Sequence, residues 1–209
     1  MSYSVVFDVG GVLVPEGNRM ERLQHFARQT LGEFEPSEFT AAYWEFRNDY
    51  DLGSSDEEFW GRVFTRAGVR EYDDSDVAAV AARDAELNST ISSDAEVLLQ
   101  ELSQRDIPMA ILSNAPLRMA HRIAGREWAK PVRAMTFSSE HGVMKPDPAI
   151  YEVVVRTLPS VSEPADIVFF DDREKNITAA REAGWTAHQW VSVAEARQFL
   201  VELGVLPRS

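Results

Sequence analysis

Four short segments of the chain carry groups that together could act on a phosphate ester. Ser4-Val5-Val6-Phe7 reads as a short buried strand that ends at Asp8, and Val9-Gly10-Gly11-Val12-Leu13-Val14 follows as a turn that its glycines permit. Pro108-Met109-Ala110-Ile111-Leu112 ends at Ser113-Asn114, and Lys145 sits in the loop Gly142-Val143-Met144-Lys145-Pro146-Asp147-Pro148. Ile167-Val168-Phe169-Phe170 ends at the pair Asp171-Asp172. Taken singly, Asp8 could cap a turn, Ser113-Asn114 could start a helix, and Lys145 could be a solvated loop lysine. Two adjacent carboxylates after an apolar run repel one another, so a cation is their natural partner.

Taken together the set has a chemistry. Asp8 supplies an anionic nucleophile, and Asp172 with Asp171 can hold a hard divalent cation, Mg2+, beside it. The cation screens the repulsion between a carboxylate and a phosphate dianion. Lys145 adds a second positive charge against the group in transfer. The Ser113 hydroxyl and the backbone N–H groups near Asn114, Gly10 and Gly11 can donate to phosphate oxygens.

These segments need a scaffold that brings them to one place. From Ile91 onward, helical and strand patterns alternate: helices at 94–105, 117–124, 147–158, 176–183 and 193–203, and strands at 108–112, 134–138, 167–170 and 186–190. That alternation predicts a Rossmann-like parallel sheet covered on both faces, an α/β/α arrangement whose ligands lie beyond the carboxyl ends of the strands. Between Arg19 and Leu87 the pattern is helical throughout, with segments at 19–31, 37–50, 56–67 and 75–87. Ser55 with Glu58 reads as a capping box. This stretch is rich in aromatics (Phe39, Tyr43, Trp44, Phe46, Phe59, Trp60, Phe64), so it is expected to form a small bundle with its own core, one face of which can cover the site. The expected division is a core domain of residues 1–15 and 92–209 and a helical cap domain of residues 16–91.

Composition narrows the classes. The 209 residues are 44% hydrophobic and 26% charged, a globular balance rather than a disordered one. A net charge of −13 makes nucleic acid a poor partner and requires any phosphate site to be made cationic locally. The chain has no cysteine, which excludes thiolate metal sites and thiol catalysis and fits a cytoplasmic setting. The start at Met1-Ser2-Tyr3-Ser4 has no basic leader pattern, and no apolar run is long enough for a membrane span. His25, His121, His141 and His188 are scattered without zinc-ligand spacing, and His141 is left outside the site. The expected partner is a small phosphorylated molecule, bound by a monomer or homodimer.

The motifs Phe7-Asp8-Val9-Gly10-Gly11-Val12-Leu13, Leu112-Ser113-Asn114, Lys145-Pro146-Asp147-Pro148 and Phe169 to Asn176 resemble the four ordered motifs of the haloacid dehalogenase-like hydrolases. The resemblance covers nearly the whole chain, and the segment between the first two motifs, with Gly53 before Glu58-Phe59-Trp60, looks like that superfamily's first class of helical cap. It implies Asp8 as nucleophile and metal ligand, the Gly10 carbonyl and Asp172 as further metal ligands, and Asp171 as a ligand either direct or through water. It also implies Ser113 as a phosphate-binding hydroxyl and Lys145 as the lysine that steadies nucleophile and phosphate. Asn176 either orients the acidic loop or caps the next helix.

The match breaks at Gly10, where most phosphatases of the superfamily have a second aspartate as general acid and base. Asp-x-Gly-Gly is similar to a subgroup that includes sugar-phosphate phosphatases such as glucose-1-phosphatase. Loss of general acid–base help is worth roughly two to four powers of ten. Glu16 or Arg19 is the hypothesised compensation, with Arg19 also placed among the substrate-binding groups; as hinge-surface residues they would contribute nothing. The competing functions are a 2-haloacid dehalogenase on the same fold, which needs no metal, a phosphomutase, and a degenerate ligand-binding protein. The acidic pair argues against the first, and the late position of that pair argues against a receiver-like phosphoprotein.

Overall fold

Ser4 and the three apolar residues after it, Val5, Val6 and Phe7, form strand β1 (Ser4–Phe7), and every one of them is buried. A strand buried on both faces needs partners on both sides, and the parallel ladder supplies them: Phe7 pairs with Ile111 of β2 (Met109–Ser113) and with Phe170 of β4 (Ile167–Asp171). The sheet is completed by β3 (Ala134–Phe137) beside β2 and β5 (Thr186–Gln189) beside β4. The computed structural model describes residues 3–158 and 163–208, and among these the strand order is β3-β2-β1-β4-β5 with all pairings parallel. The expectation resting on Met1 and Ser2 lies outside the described residues.

The period of two along each strand sorts side chains between two cores. Val5 and Phe7, Met109 and Ile111, and Val168 and Phe170 face one cluster, built with helices α5 (Ser93–Gln104), α6 (Leu117–Ala124) and α10 (Val193–Glu202). Val6, Ala110, Leu112, Ile167 and Phe169 face the other, built with α8 (Pro148–Thr157) and α9 (Glu174–Glu182). A four-residue helix, α7 (Ser138–His141), follows β3 directly.

Between β1 and α5 the chain makes four helices: α1 (Arg19–Leu31), α2 (Pro36–Asp51), α3 (Asp56–Ala67) and α4 (Asp74–Leu87). Local sequence explains their limits. Ser55 and Glu58 close the expected capping box on α3, Gly68 ends that helix at φ 80°, and Asp73 with Asp76 makes a second capping box on α4. The helices share a separate hydrophobic cluster centred on Phe39, Tyr43, Phe59, Trp60, Val63 and Phe64. Burying each large apolar side chain of this kind contributes about 1.5–3 kcal/mol. This is an α/β fold with an inserted helical cap.

Candidate active site

Asp8, Ser113 and Asp171 stand together because β1 lies between β2 and β4, and all three residues occupy carboxyl ends of those strands. The Asp8 N–H donates to the carbonyl of Phe170 at 2.9 Å, and its Oδ1 accepts from the N–H of Val9 at 2.7 Å. Lys145 arrives from the loop after α7. Its Nζ lies 3.1 Å from Asp8 Oδ1 and 2.6 Å from Asp171 Oδ2, and it donates to the carbonyl of Leu112 at 2.9 Å.

Burial pushes the Asp8 carboxyl up to about 6, against the opposing pull of Lys145 and a contact with the Ser113 hydroxyl. Burial also works against the Lys145 ammonium, but Asp8 and Asp171 outweigh it and raise its pKa. Lys145 is therefore a buried cation between two carboxylates.

The two adjacent aspartates have different surroundings. Asp171 is fully buried, and both its oxygens are engaged: Oδ1 accepts from the Arg173 N–H at 2.9 Å and from Asn176 Nδ2 at 2.8 Å, while Oδ2 accepts from Lys145 and from Asn176 Nδ2 at 3.0 Å. Asn176 is thus an orienting group for the acidic loop, within the first turn of α9 rather than at its cap, which is Arg173. Asp172 faces the cavity, and among the described residues no side chain donates to its carboxylate. Burial, then the charge of Asp171, raises its pKa.

Gly11 explains the glycine pair. Its φ is 75°, and a Cβ there would sit 2.6 Å from Asp172 Oδ2. At Gly10 a Cβ would meet nothing within 4 Å.

One oxygen from each of Asp8, Asp171 and Asp172 can be chosen so that all three lie within 4.8 Å of one another. Three carboxylates gathered at one point, with Asp172 in no salt bridge among the described residues, offer hard oxygen donors of the kind that fit Mg2+.

The remaining expected residues are placed as follows. Ser113 is buried against Asp8. Asn114 has its side chain committed to the backbone of Lys145, with Oδ1 accepting from its N–H at 2.9 Å and Nδ2 donating to its carbonyl at 3.0 Å. Arg19 donates to the carbonyl of Glu16 at 3.0 Å and to Asn88 Oδ1. A cavity of about 270 Å3 opens above the strand ends, lined from the sheet side by Asp8, Gly10, Gly11, Asn114, Lys145 and Asp172. From the insert, Glu16, Arg19, Trp44, Arg47, Asn48 and Asp51 line it. Sequence reasoning missed the last four of these. Their spacing of i, i+3, i+4 and i+7 on α2 was the available signal. A larger groove of about 970 Å3 lies elsewhere between cap and core, and neither Asp8 nor Lys145 lines it.

The all-parallel sheet and the strand-end cluster define an α/β chain of Rossmann-like topology with a helical insert, and comparison gives the family. The haloacid dehalogenase-like hydrolase model matches residues 4–184, so the chain belongs to that family. A search of curated proteins finds no match. Among solved structures, a HAD family enzyme from Bacteroides thetaiotaomicron in complex with magnesium and inorganic phosphate is similar over 90% of this chain and 94% of its own, with 17% identity and a TM-score of 0.65. L-2-haloacid dehalogenase from Xanthobacter autotrophicus, with chloropropionic acid covalently bound, is similar over 99% of this chain and 85% of its own, with 22% identity and a TM-score of 0.68. At these identities the likeness concerns the fold.

Proposed function

We propose that this hydrolase is a Mg2+-dependent phosphatase of small phosphorylated metabolites, sugar phosphates included, with residues 16–91 as a cap domain over a core of residues 1–15 and 92–209. The observation that carries the reading is Asp172, a carboxylate that faces the cavity, can bring an oxygen within 4.8 Å of one from Asp8, and makes no salt bridge among the described residues. An anionic haloacid would be repelled there, whereas a cation-bound phosphate would be drawn in.

In this reading Asp8, Asp172 and the carbonyl of Gly10 would hold the metal, with Asp171, whose oxygens are engaged by Lys145, Asn176 and the Arg173 N–H, as a ligand either direct or through water. Bound Mg2+ supplies positive charge against the phosphate dianion. Asp8 attacks phosphorus, the ester P–O bond breaks, and the alcohol leaves with a proton. Water then attacks the aspartyl phosphate, releasing inorganic phosphate and restoring the Asp8 carboxylate. Lys145, locked at 3.1 Å from Asp8, orients the nucleophile and offsets charge throughout. The backbone N–H groups of Gly10 and Asn114, the Ser113 hydroxyl and Arg19 would bind the substrate, whereas the Gly11 N–H, an expected donor, is committed to the Val14 carbonyl at 2.9 Å. The cysteine-free composition supports a cytoplasmic setting, and among the described residues no helix is long and apolar enough to cross a membrane.

The test is a screen of phosphorylated metabolites with Mg2+, run with Asp8→Asn alongside. Phosphate release that needs the metal and vanishes in the variant is expected. Halide release from a 2-haloacid that survives EDTA would replace this reading with dehalogenation.

A further inference from the structure

An alkyl phosphate needs a proton on its leaving oxygen as the P–O bond breaks, and position 10 provides no acid. This inference rests on the phosphatase reading and names the missing group. Of the acids lining the cavity, Asp8 is the nucleophile and Asp172 faces the cation. Glu16 and Asp51 remain.

Glu16 is exposed on the loop into the cap. Asp51, the last residue of α2, is 7% exposed and fixed from two sides. Arg47, one turn earlier, donates from Nε to its Oδ1 at 2.7 Å. Its carbonyl accepts from Ser138 Oγ at 2.5 Å, and that Oγ accepts from the N–H of Ala115 at 3.0 Å. The Asp51 backbone, although part of the cap, is therefore registered to the loop that carries Ser113 and Asn114. Its Oδ2 receives no hydrogen bond among the described residues. The open space at Gly10 leaves room between nucleophile and cap.

We propose that Asp51 is the general acid and base of this site. Its carboxylic acid gives a proton to the leaving oxygen as Asp8 bonds to phosphorus and the ester P–O bond breaks. The Asp51 carboxylate then takes a proton from the water that attacks the aspartyl phosphate, whose P–O bond to Asp8 breaks, and Asp51 is protonated again. The charged and titratable groups facing it are Arg47 and Tyr43 from α2, Asp84 from α4, and Lys145 and Arg173 from the core. Burial raises its pKa despite Arg47, which favours the protonated form that the first step needs.

The test compares wild type with Asp51→Asn in Mg2+, under single-turnover conditions, on p-nitrophenyl phosphate and on glycerol 3-phosphate. The first leaving group needs little protonation and the second needs it fully. The expected result is a loss of about 100-fold or more on the alkyl ester and under about tenfold on the aryl ester. The ratio is read on one protein sample, so partial misfolding cannot produce it. Equal losses on both esters, or no loss on either, overturn the assignment. A leaving-group-dependent loss in Glu16→Gln but not in Asp51→Asn transfers the role to Glu16. Wild-type protein that cleaves neither ester overturns the phosphatase reading itself, and this proposal with it.

Discussion

Asn114 holds Lys145 by both of its backbone polar groups, accepting from the N–H at 2.9 Å and donating to the carbonyl at 3.0 Å. The side chain of Asn114, whose backbone is the expected phosphate donor, is thus a clamp on the loop that delivers the buried Lys145 ammonium. Asn114→Ala leaves two partly buried groups without partners, at a cost of about 1–3 kcal/mol each. It should lower kcat by at least tenfold through a misplaced Nζ, with a smaller change in KM. Steady-state kinetics on the best substrate from the screen, with unfolding midpoints measured in parallel, checks both effects.

The two neighbouring glycines should respond differently to a methyl group. Gly11→Ala meets a positive φ and the Asp172 carboxylate at 2.6 Å, so it should lose about 1–2 kcal/mol of stability from the backbone alone and displace Asp172. Activity should fall about 100-fold or more. Gly10→Ala meets nothing within 4 Å, and its unfolding midpoint should stay close to that of wild type. Urea unfolding of the pair tests the contrast.

If the acidic cluster holds a cation, metal binding must stabilise the fold by mass action. Mg2+ at about 100 times its dissociation constant should add about 2.7 kcal/mol. Asp172→Asn should abolish most of that gain. Thermal melts with Mg2+ and with EDTA measure it without any substrate, and identical melts in the two conditions would count against the metal site.

Within the cap, Asp84 is 2% exposed and its carboxyl is pushed up to about 6, chiefly by burial, with Arg47 opposing. A folded-state pKa raised above the unfolded value means the folded protein keeps the proton longer. Stability from this group is therefore fully present below about pH 4 and is lost as pH rises to about 6. Asp84→Asn keeps an acceptor for the Tyr43 hydroxyl (3.1 Å) and for Asn88 Nδ2 (2.8 Å) while removing the ionisation. It should stabilise the protein by up to about 3 kcal/mol at pH 7.5 and by only about 1 kcal/mol at pH 4.5. Denaturant melts at the two pH values decide this.

The sheet, the helices and the strand-end residues were legible because each rests on local pattern. Continuous apolar runs mark doubly buried strands, and the Ser55–Glu58 box marks the start of α3. Helix α9 begins two residues earlier than the apolar pattern indicates, since Glu174 and Lys175 in its first turn are polar. What was not legible depends on distance in sequence. Trp44 belongs to an aromatic-rich segment and reads as core, yet it is 56% exposed and lines the cavity, because α2 buries Phe39 and Tyr43 on another face. Ser138 links Asp51 to Ala115 across separations of 87 and 23 residues, and nothing adjacent to it in sequence announces that bridge. The difference between Asp171 and Asp172 likewise appears only when Lys145 and Asn176 are placed beside one of them.

The central position of β1 has a consequence for biogenesis. The strand that leads to Asp8 is synthesised before its partners, Met109 on one side and Val168 on the other, which emerge from the ribosome much later. Helices α1–α4 carry their own cluster and are complete before either partner exists. A nascent chain that ends at about residue 100 should therefore resist protease over 19–87 while residues 4–7 are still digestible. The Asp8 carboxylate would be translated well before the strands that flank it and would reach its final surroundings only after both have emerged.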